Sequence, residues 1–216
     1  MKLKSILALA SALTIAGTAA ANAGTINLEP QGPGNFGSPN WSQTLTIWVD
    51  GNDTNVRAGL FRFQNADDIA EKILAFCIDA RTNLNLGETF TTHNPSVDEA
   101  IDRLFTSSYA DVNSAATATG FQVALWEVIE DPEAGFSGYD LDAGAFAVTS
   151  ISSAARTAAE TFLGRLATAT IGGYTLTTYV NSGQDLISAD PIPVPAAALL
   201  FAPALGAVAM RRKRKA

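Results

Sequence analysis

The sequence predicts an α+β fold, in which a β-sandwich or barrel-like sheet carries an inserted helical subdomain. Three observations support this prediction. Apolar residues alternate at period two within residues 44–92, they recur at helical spacing within residues 96–169, and a last alternating segment covers residues 174–180. Strands followed by helices and then a strand are typical of α+β chains. Residues 24–195 are enough for one domain with its own core or for two small subdomains, and the domain is expected at residues 42–188.

The first half of this domain contains most of the predicted strands. Residues 24–41 are rich in Gly, Pro and Asn, so they predict an extended arm that leads into the first strand. Residues 44–49 alternate β-branched and apolar side chains, and residues 50–53 (Asp-Gly-Asn-Asp) provide a turn. With a second strand over residues 57–63 they predict a hairpin. Further strands are expected at residues 73–79 and 89–92.

Three helices are predicted after these strands. Ser96, followed three residues later by Glu99, forms a capping-box pattern ahead of apolar residues at helical spacing. A second helix is expected over residues 115–129 and ends before Pro132, which cannot continue it. A third is expected over residues 153–169, where many small side chains indicate close packing against a neighbour.

The N-terminus has the pattern of a secretory signal peptide over residues 1–23. Lys2 and Lys4 precede an apolar stretch over residues 6–16 that is too short to span a bilayer. Small residues then end in Ala21-Asn22-Ala23, an A-x-A cleavage site. We therefore expect cleavage after Ala23 and export of the chain.

The C-terminal residues 189–216 have the pattern of a membrane-retained tail. A proline-rich stretch opens into an apolar run over residues 196–210, and five basic residues close it at 211–215. Basic residues that follow a hydrophobic segment stay in the cytoplasm, so the tail is expected to be held in the inner membrane. The length is marginal for a span, which suits a temporary anchor.

This tail resembles the PEP-CTERM sorting signal of Gram-negative bacteria, in its Val-Pro-Leu-Pro-Ala variant. The matching residues are Ile192, Pro193, Val194, Pro195 and Ala196. The resemblance implies that an exosortase-type membrane enzyme removes the tail and passes the protein to the cell surface or the extracellular matrix. An ordinary C-terminal membrane anchor is the alternative.

The charge of the exported body limits its partners. Residues 1–23 and 196–216 hold seven of the fourteen basic residues and none of the 21 acidic ones, so the body over residues 24–195 has a net charge of −14. Such a body repels nucleic acid and anionic lipid headgroups, and the sequence therefore predicts neither as a partner. Membrane contact is expected only through the C-terminal tail.

Cofactor and enzymatic chemistry find little support in the sequence. Cys77 is the single cysteine, which excludes a disulfide framework in this exported chain. His93 is the single histidine, in a loop-like context, so the sequence predicts neither a histidine-rich metal site nor a thiol protease dyad. No cofactor, no metal and no enzymatic activity are predicted.

Two short motifs carry the functional hypothesis. Cys77 lies in a strand-like Phe-Cys-Ile-Asp segment, and Gln122 lies within the apolar helix that continues to Trp126. A polar side chain on a buried helical stripe needs a hydrogen-bonding partner. These motifs resemble the thioester domains of bacterial surface proteins, in which such a Cys and such a Gln are joined. The segment at residues 183–187 also resembles the closing segment of exported members of that group.

The resemblance implies a covalent thioester between Cys77 and Gln122, formed when the thiol attacks the carboxamide and expels ammonia. The fold must hold the two groups together, because neither is reactive enough in water. Trp126, one turn beyond Gln122, is expected to cover the bond and exclude water. The predicted function is covalent capture of an amine on a surface or matrix target, as an adhesin or crosslinker. The alternative is a structural biofilm-matrix protein in which Cys77 and Gln122 are ordinary core residues.

Overall fold

The computed structural model describes residues 24–95 and 97–193. The predicted signal peptide with Ala23, the capping residue Ser96 and the sorting residues Val194, Pro195 and Ala196 lie outside these residues. Pro193 is exposed, just after the last strand. Within residues 24–95 and 97–193, no helix combines the length and the apolar character needed to cross a bilayer.

Ten strands form two antiparallel sheets. The strands are β1 (Gly24–Ile26), β2 (Leu28–Pro30), β3 (Ser42–Val49), β4 (Asn52–Gly59), β5 (Phe61–Asn65), β6 (Lys72–Cys77), β7 (Phe90–His93), β8 (Phe146–Ser150), β9 (Tyr174–Val180) and β10 (Leu186–Pro191). Seven of them form one sheet in the order β1-β7-β9-β10-β6-β5-β2, and the other three form a second sheet in the order β4-β3-β8.

The larger sheet curls into a nearly closed barrel. Its two edge strands, β1 and β2, are separated along the chain only by Asn27, so the sheet must bend until its edges nearly meet. β6 lies near the middle of this sheet, between β5 and β10. The fold is therefore α+β with a barrel-like sheet, as the sequence predicts.

The chain passes from the small sheet to the large one at Gly59 and Leu60. The hairpin of β3 and β4 turns at Asp50 and Gly51, whose φ angles of 52° and 81° match a type I′ turn. A Cβ atom on Gly59, where φ is 156°, would lie 2.1 Å from the carbonyl oxygen of Trp41. Only glycine fits this crossing.

Three helices complete the fold: α1 (Glu99–Ser108), α2 (Ala115–Glu130) and α3 (Ser153–Arg165). All residues from Ala118 to Val128 of α2 are buried. A helix that is buried on every side is a core element. α2 accordingly packs against α1, α3 and all three strands of the small sheet.

Several predicted boundaries are wrong. The capping residue of α1 is Asp98, whose carboxylate accepts a hydrogen bond from the backbone N–H of Ala100 at 2.7 Å. The arm predicted at residues 24–41 contains β1 and β2, which pair with β7 and β5. The strand predicted at residues 57–63 is divided by the crossing at Gly59. β8 was not predicted, and it separates α3 from α1 and α2, so the helices are not a single insertion.

Candidate functional site

The fold brings Cys77 and Gln122 together from a central strand and a central helix. Cys77 is the last residue of β6 and pairs with Leu186 of β10. Gln122 lies in the second turn of α2, whose start is fixed by a capping box between Ser114 and Thr117. The hydroxyl of Thr119 donates to the Ala58 carbonyl at 3.0 Å and ties the same helix to β4.

The side-chain carboxamide of Gln122 forms two hydrogen bonds with the backbone of Cys77. The Cys77 N–H donates to Gln122 Oε1 at 2.9 Å, and Gln122 Nε2 donates to the Cys77 carbonyl at 2.7 Å. Both residues are 1% exposed. The sequence hypothesis that these two residues are neighbours therefore agrees with their hydrogen-bonded placement. The N–H on Oε1 also polarises the carbonyl group and lies where a negative charge on that oxygen would develop.

The thiol of Cys77 is held in a turn against Asp79. Sγ donates to the Asp79 carbonyl at 2.8 Å and accepts from the Asp79 N–H at 3.3 Å. Burial raises the pKa of the thiol to about 12, and the Asp79 N–H opposes this rise. The thiol is therefore protonated at neutral pH, and a reaction at Sγ depends on proximity rather than on a preformed thiolate.

Trp126 lies beside the thiol, one turn along α2 from Gln122. Its side chain is 2% exposed and its ring packs against that of Phe146, with centroids 6.2 Å apart. The described residues provide no hydrogen-bond acceptor for its buried indole N–H. The same N–H lies close enough to Sγ of Cys77 to oppose the rise in the pKa of the thiol. A buried donor without a well-formed hydrogen bond is costly, so this N–H is available to an acceptor that enters the site.

Gln184 fixes the segment that follows Cys77. Its side-chain amide donates to the carbonyls of Asp79 at 3.1 Å and Thr82 at 3.0 Å, and its backbone N–H donates to the Asn83 carbonyl at 3.0 Å. Residues 183–187, identified in the sequence as a closing segment, therefore pair with β6 and hold the next loop. Sequence reasoning did not assign Gln184 this role.

A cavity of about 280 Å³ opens beside the Cys77–Gln122 pair. The buried part of its wall contains Cys77, Gln122 and Trp126. Among the described residues that form the wall, none carries a carboxylate or an imidazole. The outer wall is mainly polar and includes Thr54, Asn55, Arg57, Arg81, Thr82, Asn83 and Gln184.

Arg81 closes one side of this cavity as a bridge between two elements. Its guanidinium pairs with Asp50, in the turn of the β3–β4 hairpin, at 2.6 Å and also with Glu130 at the end of α2. These two carboxylates raise the pKa of Arg81. The sequence did not reveal this bridge, because its three residues are separated by 31 and 49 positions.

A buried carboxyl group at Glu127 was also missed. Its Oε1 accepts from the Asp140 N–H at 2.9 Å, whereas Oε2 has no partner among the described residues. Burial raises the pKa of Glu127 to about 8, and the charges of Asp131 and Asp140 add to this rise. From the sequence, Glu127 belongs to an acidic cluster with Glu130, Asp131 and Glu133 at the end of a helix, which predicts a solvated surface; for Glu127 this is wrong, because it is buried. Its position amid apolar neighbours in α2 was the available signal.

His93 lies at the end of β7 and is not part of the cavity wall. In the part of the chain that the structure describes, no three His, Cys, Asp or Glu side chains form a group that could hold a metal ion. No protein family matches this chain, and no curated protein or solved structure is significantly similar to it.

Proposed function

We propose that this chain is an exported surface or matrix protein that captures an amine covalently through a thioester between Cys77 and Gln122. The observation that carries the proposal is the pair of hydrogen bonds between the Gln122 carboxamide and the Cys77 backbone, beside a cavity. The protein acts as an adhesin or crosslinker and not as an enzyme.

The bond forms by acyl transfer within the core. Sγ of Cys77 attacks Cδ of Gln122, the Cδ–Nε2 bond breaks, and ammonia leaves with the thiol proton. The Cys77 N–H stabilises the negative charge on Oε1 during this step. When Nε2 leaves as ammonia, the Cys77 carbonyl loses the hydrogen bond that it accepted from Gln122. The packing of the surrounding fold must therefore keep the two joined residues in place.

Capture reverses the acyl transfer with a new nucleophile. The nitrogen of an uncharged primary amine attacks Cδ, a C–N bond forms, the C–S bond breaks and the amine proton passes to Sγ. Among the described residues of the cavity wall, none is a carboxylate or imidazole that could accept a proton from a hydroxyl group. An amine needs no such base, and this absence supports amine capture over ester formation.

Burial supports the survival of the bond before capture. Cys77, Gln122 and Trp126 are each at most 2% exposed, so water has little access to the acyl carbon. The unpartnered indole N–H of Trp126 is suited to donate to an oxygen that arises during the reaction.

The termini complete the proposal. The signal peptide is removed after Ala23, and the tail at residues 189–216 is recognised at Pro193, Val194, Pro195 and Ala196. An exosortase-type enzyme of a Gram-negative bacterium then transfers the protein from the inner membrane to the cell surface or matrix. The described part of β10 reaches Pro191, so this recognition segment follows the folded domain directly.

A structural matrix protein without thioester chemistry is the second candidate. It is favoured by the hydrogen bonds that both Oε1 and Nε2 of Gln122 make with the Cys77 backbone and by the burial that raises the pKa of the Cys77 thiol to about 12. Both features also suit two ordinary core residues.

Trapping with methylamine distinguishes the two functions. The exported wild-type protein is incubated with methylamine, digested and mapped by mass spectrometry. The thioester function predicts a methylamide at Gln122 in the wild type and none in Cys77→Ala, whose fold is checked by circular dichroism. An unmodified Gln122 in the wild type would leave the matrix function standing.

A further inference from the structure

Arg57 forms part of the wall of the Cys77–Gln122 cavity, on the exposed edge strand β4. Its Nε donates to the hydroxyl of Ser42 at 2.8 Å, and its guanidinium lies 5.1 Å from the centre of the Phe36 ring. These two contacts fix the plane of the guanidinium. Neither of them uses its two terminal nitrogens.

The positive charge of Arg57 is not neutralised within the described part of the chain. No described carboxylate lies within ion-pair distance of Arg57, whereas Arg81, the other arginine of the wall, pairs with Asp50 and Glu130. Asp79 is the carboxylate that acts on the Cys77 thiol, but its side chain accepts from the Arg81 N–H and is not part of the wall.

We infer that the captured amine is carried by a ligand with a neighbouring carboxylate, which binds the free edge of the Arg57 guanidinium while the amine reaches Gln122. This inference rests on the proposed thioester. A planar guanidinium with free terminal nitrogens matches a carboxylate in a bidentate arrangement. Arg57 and Gln122 both line the same cavity, whose volume of about 280 Å³ is enough for one small amino acid.

The net charge of the body determines the distance at which the protein can select an anionic ligand. A body charge of −14 repels an anionic ligand at long range. At an ionic strength of about 0.15 M that repulsion is screened beyond roughly 8 Å, whereas a direct contact with Arg57 is screened much less. The ligand is therefore selected by contact in the cavity and not by steering from solution.

Covalent capture proceeds as for any amine. The uncharged nitrogen attacks Cδ of Gln122, the C–N bond forms, the bond to Sγ breaks and the amine proton passes to Sγ. The carboxylate takes no part in the bond changes. Its role is to hold the amine next to the acyl carbon, which raises the effective concentration of the nucleophile.

The test compares three amines that share a three-carbon chain, at equal concentrations of the unprotonated form and at constant ionic strength. β-Alanine carries a carboxylate where propylamine carries a methyl group, and 1,3-diaminopropane carries a second cation. The rate of adduct formation at Gln122 is measured by intact mass. β-Alanine should react roughly three- to tenfold faster than propylamine, and diaminopropane more slowly than either.

Arg57→Gln should remove the advantage of β-alanine over propylamine, as expected for the loss of one charged contact. Arg165→Gln is the matched control, because Arg165 is a surface arginine on α3 outside the cavity wall, and it should keep the advantage. An advantage that persists in Arg57→Gln, or a fastest reaction with diaminopropane, would overturn the inference while adducts still form. No adduct with any amine would instead overturn the proposed function, and this inference with it.

Discussion

Gly120 of α2 lies so close to Ala158 of α3 that a Cβ atom on Gly120 would come within 2.7 Å of the Ala158 Cβ atom. The same Cβ would lie 2.7 Å from the carbonyl oxygen of Ala155. Gly120 precedes Gln122 by two residues, so this helix contact fixes the part of α2 that presents the carboxamide to Cys77. The small side chains of α3, noted in the sequence, make this close packing possible.

Gly120→Ala should therefore destabilise the protein. The added methyl group must displace backbone atoms of α3, which costs about 1 to 3 kcal/mol in the free energy of unfolding. Urea unfolding measures this change. Gly164→Ala is the matched control, because a Cβ there meets nothing within 4 Å, and it should be neutral or stabilising by up to about 1 kcal/mol. Equal stability of Gly120→Ala and the wild type would contradict the close contact.

Glu127 should make the protein less stable as the pH rises. Its pKa is about 8 in the folded state against an ordinary value of 4.5, so between these values the folded protein keeps a proton that the unfolded chain releases. The free energy of unfolding from this group should fall across that window, with a slope of up to about 1.4 kcal/mol per pH unit, and stay level outside it.

Glu127→Gln tests this directly by urea unfolding across pH 4.5 to 8. The substitution keeps an oxygen that can accept from the Asp140 N–H and removes the titration, so the fall should flatten. Glu133→Gln, an exposed glutamate in the following turn, should leave the fall unchanged. The same slope in Glu127→Gln and the wild type would show that Glu127 ionises normally.

The loop behind Cys77 should loosen when the Arg81 bridge is removed. Arg81→Gln breaks the pairs with Asp50 and Glu130, and because the bridge is partly exposed its contribution to global stability is at most about 1 kcal/mol. Local opening of this loop is affected more than global stability. Amide hydrogen exchange should therefore accelerate at residues 80–84.

Arg156→Gln is the control for this change, because Arg156 also pairs with two carboxylates, Asp142 and Glu160, but lies outside the cavity wall. It should leave exchange at residues 80–84 unchanged. Equal exchange in all three proteins would show that Arg81 does not hold this loop.

Amine capture should lower the melting temperature of the wild-type protein. The proposed bond closes a loop across the 45 positions between Cys77 and Gln122, and such a closure stabilises by on the order of 3 to 4 kcal/mol in the chain-entropy model, less any strain. Capture breaks the bond and removes this constraint. Differential scanning calorimetry should detect the loss after methylamine treatment.

Cys77→Ala provides the comparison for this measurement. It has no bond to lose, so methylamine should not change its Tm. Equal shifts in both proteins, or no shift in either, would indicate that Cys77 and Gln122 are ordinary core residues.

Much of the fold was predictable, because alternating apolar residues identified β3 and β9, and the apolar segment that ends before Pro132 identified α2. β8 was missed because it is short and follows a segment rich in Gly and Asp, so its strand character depends on pairing with β3. β1 and β2 were missed for a similar reason, since three-residue strands carry little periodicity. These segments are strands because they pair with other strands that are distant in the sequence.

The candidate site was predictable only through its two motifs. Cys77 and Gln122 were paired from the sequence, but the other cavity residues come from six separate stretches between Phe36 and Gln184. Arg57, Arg81 and Gln184 are ordinary surface residues by composition, and their placement around the thiol depends on the sheet topology. Glu127 shows the same limit, since only the packing of α2 determines that its carboxyl group is buried.

The intact mass of the exported protein, measured without reducing agent or added amine, tests the thioester most directly. A bond between Cys77 and Gln122 predicts the mass of the processed sequence less one ammonia, and Cys77→Ala should show no such loss. The full mass of the processed sequence in the wild type would contradict the thioester, and with it the proposed capture of an amine.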